Sequence, residues 1–221
     1  LPQPAARAEW TAGIHATAVQ IADRQPQPRA DGLEFGHMVK ALAAHAPKDM
    51  ALSLDAGNFS AWVHCLWPFD GATDCVGAVG GAMGMGAPGA VAACLRRDDR
   101  RAIAFVGDGG VLMTGNELAT GIAAGAKPIV VISNNGTYAT IRMHQERDYP
   151  ARISGTDLVN PDFAAWGAAF GALAIKVSTP QEASDAAARA FAHDGAVVIE
   201  VMSSAEAISP FATVTQLRGL K

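Results

Sequence analysis

Short apolar stretches alternate with longer amphipathic stretches along most of this chain. The apolar stretches lie at 50–54, 102–106, 129–132, 173–177 and 196–202. Each is bounded by turn-forming residues, which is typical of buried strands. Regular alternation of such strands with helices predicts an α/β fold, a three-layer doubly wound parallel sheet with helices on both faces.

Helices are predicted where apolar residues recur at helical spacing. This spacing places helices at 7–23, 35–46 and 160–170. Two more helix starts are predicted from capping boxes, in which a threonine stands three residues before a glutamate, at 114–117 and 179–182. The last of these also has proline at its first helical position, where the missing N–H is not needed.

A proline-rich segment, Gln25-Pro26-Gln27-Pro28-Arg29, follows the first helix. Proline at alternate positions ends a helix and favours an extended spacer. We therefore predict that residues 1–30 are a residual helix and linker from a preceding domain, and that residues 31–221 form one domain. This division also leads us to expect a partial chain, either the carboxyl-terminal part of a longer protein or one subunit of a split enzyme.

Composition excludes several classes of partner. The net charge is −4 with scattered charges, so no basic surface for nucleic acid is expected. No apolar run approaches the roughly 18 residues that span a bilayer, and the first residues lack a signal-peptide pattern, so we expect a cytoplasmic protein without a membrane contact. Cys65, Cys75 and Cys94 are predicted to be reduced core thiols. The charged run Arg96 to Arg101 is predicted to be a solvated loop.

One glycine-rich motif suggests a dinucleotide site. Residues 84–89 match G-x-G-x-x-G, and Asp108 lies 19 residues after the last of these glycines, close to where a ribose-binding carboxylate is expected. That fingerprint requires an apolar strand directly before the first glycine. Residues 73–81 are instead rich in Gly, Asp and Cys, so a dinucleotide-binding oxidoreductase is the weaker interpretation.

Polar residues with candidate chemistry follow two neighbouring predicted strands. Gly107-Asp108-Gly109-Gly110 follows the strand at 102–106, and Asn134-Asn135 follows the strand at 129–132. Carboxyl ends of parallel strands meet at the sheet edge where ligands bind. A carboxylate, an amide and a backbone carbonyl at Thr137 are oxygen ligands suited to magnesium. The glycines allow a diphosphate close to the main chain, so a magnesium–diphosphate site is predicted; each turn is common alone, but their joint spacing argues against coincidence.

This pair of motifs resembles the signature of thiamine diphosphate enzymes. The region from about Leu33 to Val201 is similar to their diphosphate-binding domain, in the branch of acetolactate synthase and benzoylformate decarboxylase. The resemblance implies Mg2+ ligands at Asp108, Asn135 and the Thr137 carbonyl. It also implies a set of residues that contact thiamine diphosphate. These are Ala56, Gly57, Asn58, Phe59, Gly81, Met83, Gly107, Asp108, Gly109, Gly110, Asn135, Thr137, Tyr138 and Ala139.

Roles within the site are also implied by the resemblance. The glycine-dense segment 77–89 aligns with a family motif in which Gly81 accepts a hydrogen bond from the aminopyrimidine and Met83 bends the cofactor. Thr140 and Ile141 are candidate substrate-pocket residues, and Ile141 stands where simple pyruvate decarboxylases carry a catalytic glutamate. His144 stands where acetolactate synthases carry a tryptophan, and it is interpreted either as a proton shuttle or as an exposed helix-surface residue.

The same resemblance predicts partners. Family members activate the cofactor with a glutamate on a separate pyrimidine-binding domain, usually on a neighbouring subunit, and this chain has no room for that domain. We therefore expect a homodimer or homotetramer, a 2-oxo acid substrate, and no activity without the pyrimidine-binding domain. Decarboxylation with carboligation, as in acetolactate synthase, and decarboxylation without ligation, as in benzoylformate decarboxylase, both remain open, as does a binding module without turnover.

Overall fold

The computed structural model describes residues 7–69, 71–96 and 101–219. The described residues form one six-stranded sheet with helices on both faces. The strands are β1 (Ala51–Leu54), β2 (Asp74–Gly77), β3 (Ala102–Gly107), β4 (Ile129–Asn134), β5 (Leu173–Val177) and β6 (Val197–Met202). All neighbouring strands pair in parallel, which confirms the predicted α/β doubly wound architecture.

The helices fill the connections between strands and both ends of the described chain. They are α1 (Ala8–Ala22), α2 (Gly36–His45), α3 (Phe59–Leu66), α4 (Gly86–Arg96), α5 (Asp108–Thr114), α6 (Glu117–Ala123), α7 (Ala139–Asp148), α8 (Phe163–Ala169), α9 (Pro180–Ala192) and α10 (Val214–Gly219). No described helix is both long enough and apolar enough to cross a membrane.

The strand order places a ligand crevice at a defined point of the sheet. Neighbours follow the order β2-β1-β3-β4-β6-β5. The chain moves outward from β1 to β2 on one side and from β3 to β4 on the other, so the direction of winding changes between β1 and β3. In open parallel sheets the crevice at such a switch point, beyond the carboxyl ends of the strands, is where ligands bind.

Alternation along the central strands builds a core on each face of the sheet. In β3, Ile103 and Phe105 belong to the core under α2, α3 and α9. Ala104 and Val106 belong to the core under α4 and α8. Successive side chains of a strand point to opposite faces, and both faces are covered here, so these strands are apolar at nearly every position.

Three predicted features need correction. Thr114 does not open a helix: α5 already begins at Asp108, and the Thr114 hydroxyl donates to the Gly84 carbonyl. The helix that follows is capped at Asn116 without a side-chain bond. The segment before the glycine-rich motif contains the short edge strand β2, which was not predicted because its exposed, polar composition lacks an apolar pattern. Cys75 on that strand is exposed rather than a core thiol, whereas Cys94 is buried and Cys65 partly so.

The remaining predictions from the sequence have different outcomes. The Thr179–Glu182 capping box is formed in both directions, and Pro180 is the first residue of α9. Residues 97–100, at the centre of the charged loop, lie outside the described residues. No residue of α1 is buried, and Trp10 on it is 64% exposed. The division between residues 1–30 and 31–221 stays a prediction.

The segment after the proline-rich linker is bound to the sheet. Leu33 N donates to the Met202 carbonyl at 2.8 Å. Asp31 accepts from the Ser204 hydroxyl at 2.6 Å and from Glu206 N at 2.9 Å, and these bonds lower its pKa against the opposing effect of burial. The beginning of the predicted main domain therefore fixes the loop that follows β6.

Candidate functional site

A cavity that is open to solvent lies at the carboxyl ends of the central strands. Its lining contains every predicted cofactor and pocket residue except Gly81 and His144. These lining residues are Ala56, Gly57, Asn58, Phe59, Met83, Gly107, Asp108, Gly109, Gly110, Asn135, Thr137, Tyr138, Ala139, Thr140 and Ile141. The turns after β1, β3 and β4 thus meet in one cavity, as expected from a parallel sheet.

Asp108 is a buried carboxylate in this cavity, with 4% of its surface exposed. Its Oδ1 accepts from its neighbour Gly109 N at 2.9 Å, and its Oδ2 accepts from Gly136 N at 2.8 Å and from Asn160 Nδ2 at 2.9 Å. Burial raises the pKa of Asp108, and these hydrogen bonds oppose the rise. Among the described residues it has no ion-pair partner. A buried carboxylate without a cation is costly, so the site suits a bound metal ion.

Gly109 and Gly110, at the start of α5, pack so closely against neighbouring side chains that neither position has room for a Cβ. A Cβ on Gly109 would lie 2.5 Å from Cε1 of Tyr138, and one on Gly110 would lie 2.4 Å from Oδ2 of Asp55. Both glycines line the cavity. Main-chain amides in the first turn of a helix have no helical partner and suit an anion, although Gly109 N already donates to Asp108 here.

Asp55 is the second buried carboxylate, 3% exposed at the end of β1. Its Oδ1 accepts from Ala56 N at 2.8 Å and from Gly84 N at 2.7 Å, while its Oδ2 is buried with no hydrogen-bond partner among the described residues. Burial raises the pKa of Asp55, against the effect of backbone hydrogen bonds. This carboxyl group joins the turn after β1 to the glycine-dense segment.

The turn after β4 presents oxygen atoms to the same cavity. Asn135 Oδ1 accepts from Thr137 N at 3.1 Å, a bond between close neighbours that forms an Asx turn. The Thr137 hydroxyl donates to the Thr156 carbonyl at 2.9 Å and fixes that residue against the following segment. The preceding Asn134 points elsewhere and donates to buried Glu200 at 2.7 Å. Only the second asparagine of the pair therefore lines the cavity.

Asn58 forms hydrogen bonds that link three loops in the wall of the cavity. Its N–H donates to Thr140 Oγ1 at 3.1 Å, and its Oδ1 accepts from the same hydroxyl at 3.0 Å. Its Nδ2 donates to the Ile208 carbonyl at 3.0 Å. The start of α7 and the loop before α10 are thereby fixed to the turn after β1.

Three predicted residues occupy the edge of the site or lie outside it. Ile141 lines the cavity and is 52% exposed, so it lies at the mouth. Gly81 is exposed, with a φ of 69°, and does not line the cavity. His144 is exposed on α7 and is also absent from the lining, which favours the interpretation as a surface residue over that as a proton shuttle.

Several lining residues were not found from the sequence. Phe35 and Trp62 are buried in the wall formed by α2 and α3, and Ser203 and Ile208 come from the segment after β6. The aromatic residues fit the pattern of helix cores and carry no separate signal. Asn160, which binds Asp108, was interpreted as part of a helix start, because Asn-Pro-Asp is a common way to begin a helix.

Sequence comparison identifies the family. The profile of the C-terminal TPP-binding domain of thiamine pyrophosphate enzymes matches residues 55–201, a range that contains the Asp55 turn, the glycine-dense segment and both motifs after β3 and β4. The chain belongs to this family. Within it, acetolactate synthase large subunits are among the similar proteins.

The similar proteins are much longer than the region they share with this chain. The acetolactate synthase large subunit of Lactococcus lactis is 30% identical over 180 residues, 80% of this chain and 31% of that protein. The large subunit of Parasynechococcus marenigrum is 32% identical over 163 residues, 71% of this chain and 26% of that protein. The acetolactate synthase of Mycobacterium avium is 30% identical over 189 residues, 81% of this chain and 30% of that protein. This TPP-binding domain therefore spans less than a third of each.

Proposed function

We propose that this chain is the thiamine diphosphate- and Mg2+-binding part of an acetolactate synthase-like enzyme that acts on 2-oxo acids. The reaction is decarboxylation, with or without ligation of the product to a second carbonyl compound. The chain acts together with a pyrimidine-binding domain of the same protein family, contributed by a second subunit in a homodimer or homotetramer. The buried carboxylate of Asp108, which has no ion-pair partner among the described residues and lies beside a glycine-lined helix start, is the observation that supports this most directly.

Three oxygen atoms of this chain are assigned to the metal. Asp108 supplies a carboxylate, Asn135 a side-chain amide oxygen and Thr137 a backbone carbonyl, a set of hard ligands that leaves further positions for phosphate oxygens and water. The charge of Asp108 is held in a buried site where burial alone would favour its neutral form. A divalent cation would reverse that preference.

The remaining contacts are assigned to the cofactor. Gly109 and Gly110 line the cavity at the first turn of α5, where the diphosphate is proposed to bind, and the turn formed by residues 56–59 lies across the cavity. Met83 lines the cavity with a half-buried side chain, consistent with the role of supporting a bent cofactor. The bound thiamine diphosphate supplies the electron sink that decarboxylation of a 2-oxo acid requires.

Substrate contacts are assigned to the mouth of the cavity. Thr140 is held in place by its two hydrogen bonds with Asn58, and Ile141 beside it presents an apolar side chain. An apolar side chain there excludes water from the reacting carbonyl and supplies no proton. Proton transfer is therefore assigned to groups outside this chain, on the pyrimidine-binding domain.

Calorimetry of the protein with its pyrimidine-binding domain tests this function. We expect thiamine diphosphate to bind only when Mg2+ is present, and a 2-oxo acid to lose carbon dioxide only in the assembled enzyme. Asp108→Ala should abolish metal-dependent binding and leave the far-ultraviolet circular dichroism spectrum unchanged. Failure of the unaltered protein to bind the cofactor, or tight binding of NAD in its place, would contradict the proposal.

A further inference from the structure

Asn160 connects the candidate metal site to a buried hydrogen-bonded chain behind it. Its Nδ2 donates to Asp108 Oδ2 and to Asn134 Oδ1, both at 2.9 Å. Asn134 Nδ2 in turn donates to Glu200 Oε1 at 2.7 Å. This series of hydrogen bonds therefore runs from β6 across β4 to the Asp108 carboxylate after β3.

The direction of donation along this chain is set at its far end. Glu200 is 1% exposed and its other oxygen accepts from Ala164 N and from Lys176 Nζ, both at 3.2 Å. An ionised carboxylate only accepts hydrogen bonds, so the NH2 group of Asn134 must face Glu200. The oxygen of Asn134 then faces Asn160, which can present only its NH2 group to that oxygen and to Asp108.

The Asn160 side chain also carries an acceptor that its surroundings do not use. Its Oδ1 is buried and has no hydrogen-bond partner among the described residues. A buried acceptor without a hydrogen-bond partner is unfavourable. An acceptor in this position, on the amide group that holds Asp108, suits a donor that arrives with the metal, such as a metal-bound water.

We propose that Asn160 is a positioning residue for the metal site, and that Asn134 and Glu200 fix its orientation so that one oxygen of Asp108 is held in place. This inference rests on the proposed metal-binding function. Groups that orient a ligating carboxylate commonly change metal affinity by about 10- to 100-fold when removed. Asn160 is not assigned to the metal itself, because its nitrogen, not its oxygen, contacts Asp108.

Metal titration of the complete enzyme tests this role separately from catalysis. Free Mn2+ is followed by electron paramagnetic resonance in the presence of thiamine diphosphate, and cofactor affinity at saturating metal is measured by calorimetry. We expect Asn160→Ala to weaken metal binding at least tenfold while cofactor affinity at saturating metal stays close to that of the unaltered enzyme. Replacing a residue with a purely structural role would change the stability to unfolding without weakening metal binding selectively over cofactor binding.

Two further variants sharpen the test. Val159→Ala is the matched control, because Val159 precedes Asn160 in the same segment and is fully exposed; its metal affinity should be unchanged. Glu200→Gln should weaken metal binding by a smaller factor, since a glutamine oxygen can still accept from Asn134. When Glu200→Gln is combined with Asn160→Ala, metal affinity should fall little further than in Asn160→Ala alone, because the series of hydrogen bonds is already interrupted.

The outcomes separate the two proposals. If the unaltered enzyme shows no metal-dependent cofactor binding, the proposed function fails. If it does, and Asn160→Ala binds metal as well as the unaltered enzyme, or Val159→Ala loses as much affinity, the role of Asn160 is refuted. Should Asn160→Ala not fold, Glu200→Gln decides the question, and unchanged metal affinity in that variant overturns the inference.

Discussion

Gly110→Ala is a small change that should damage the site more than its size suggests. Gly110 is buried in the first turn of α5. A Cβ there would lie 2.4 Å from Asp55 Oδ2 and 3.2 Å from Asp55 Cγ. Asp55 cannot simply swing away, because its other oxygen is held by Ala56 N and Gly84 N at 2.8 and 2.7 Å.

The expected change in the free energy of unfolding combines one stabilising and two destabilising effects. Replacing glycine by alanine inside a helix favours folding by about 0.5 to 1 kcal/mol. Against this, overpacking of a tight site costs about 1 to 3 kcal/mol, and loss of one hydrogen bond to a charged group costs about 1.5 to 3 kcal/mol. We therefore expect Gly110→Ala to lower the free energy of unfolding by about 2 to 5 kcal/mol.

Urea unfolding and cofactor titration measure both consequences, with Gly13→Ala as the control. Gly13 lies within α1, and a Cβ there would meet no atom within 4 Å, so only the favourable effect on the helix should remain and the protein should gain up to about 1 kcal/mol. Gly110→Ala should also weaken thiamine diphosphate binding at least tenfold, because the first turn of α5 must shift. If Gly110→Ala stabilises the protein as Gly13→Ala does and binds the cofactor normally, our reasoning about this contact is wrong.

Three further predictions concern stability. Thr179→Ala removes the side-chain cap of α9 and should cost about 1 kcal/mol, measured by urea unfolding; no change would contradict the capping role. The hydrogen bonds from Arg218 lower the pKa of buried Glu146 to about 2 from its usual 4.5, so the unfolded state binds more protons between these values and stability should be lost as the pH falls through that range. Glu146→Gln should flatten this dependence in acid titrations followed by circular dichroism, and an unchanged slope would count against the assignment. Gly32→Ala should destabilise the protein in thermal unfolding, because Gly32 has a φ of 153° and its Cβ would lie 2.8 Å from backbone atoms after β6; an unaltered midpoint would show that the segment can shift.

The sheet was predictable because its central strands are buried on both faces. Continuous apolar runs such as 102–106 and 129–132 have no interpretation other than a buried element of that length. The edge strand β2 was missed for the opposite reason, since all four of its residues are exposed. It is a strand through its pairing with β1, which is a tertiary contact that composition does not encode.

The start of α5 shows a different limit of sequence reasoning. A helix start was predicted at the capping box formed by Thr114 and Glu117, whereas glycines at 109 and 110 have a low intrinsic preference for helices. The structure begins it at Asp108. Close contact with Tyr138 and Asp55 requires glycine there, and this tertiary packing outweighs the low helix preference of glycine. Local preference failed at the place where the candidate site needs an exception.

The roles of Asn160 and Glu200 could not be predicted from the sequence, for a geometric reason. The spacing between Asp108 and Asn135 could be recognised because both follow adjacent strands. Asn160 reaches Asp108 from 52 positions away, and Glu200 reaches Asn134 across the β4–β6 pair. Neither distance is fixed by any local pattern, so only the folded chain brings these groups together.

The two buried carboxylates of this region look alike in sequence, since each begins a glycine-containing turn after a strand. Their surroundings separate them. The hydrogen bonds to Asp55 come from the main chain of its own turn and of the glycine-dense segment, and Asp55 does not line the cavity. Asp108 lines the cavity and takes a hydrogen bond from the side chain of Asn160. We therefore expect a cation that enters the cavity to contact Asp108, whereas Asp55 joins the turn after β1 to the glycine-dense segment. Loss of metal-dependent cofactor binding in Asp108→Ala would then report on metal ligation and not on the fold.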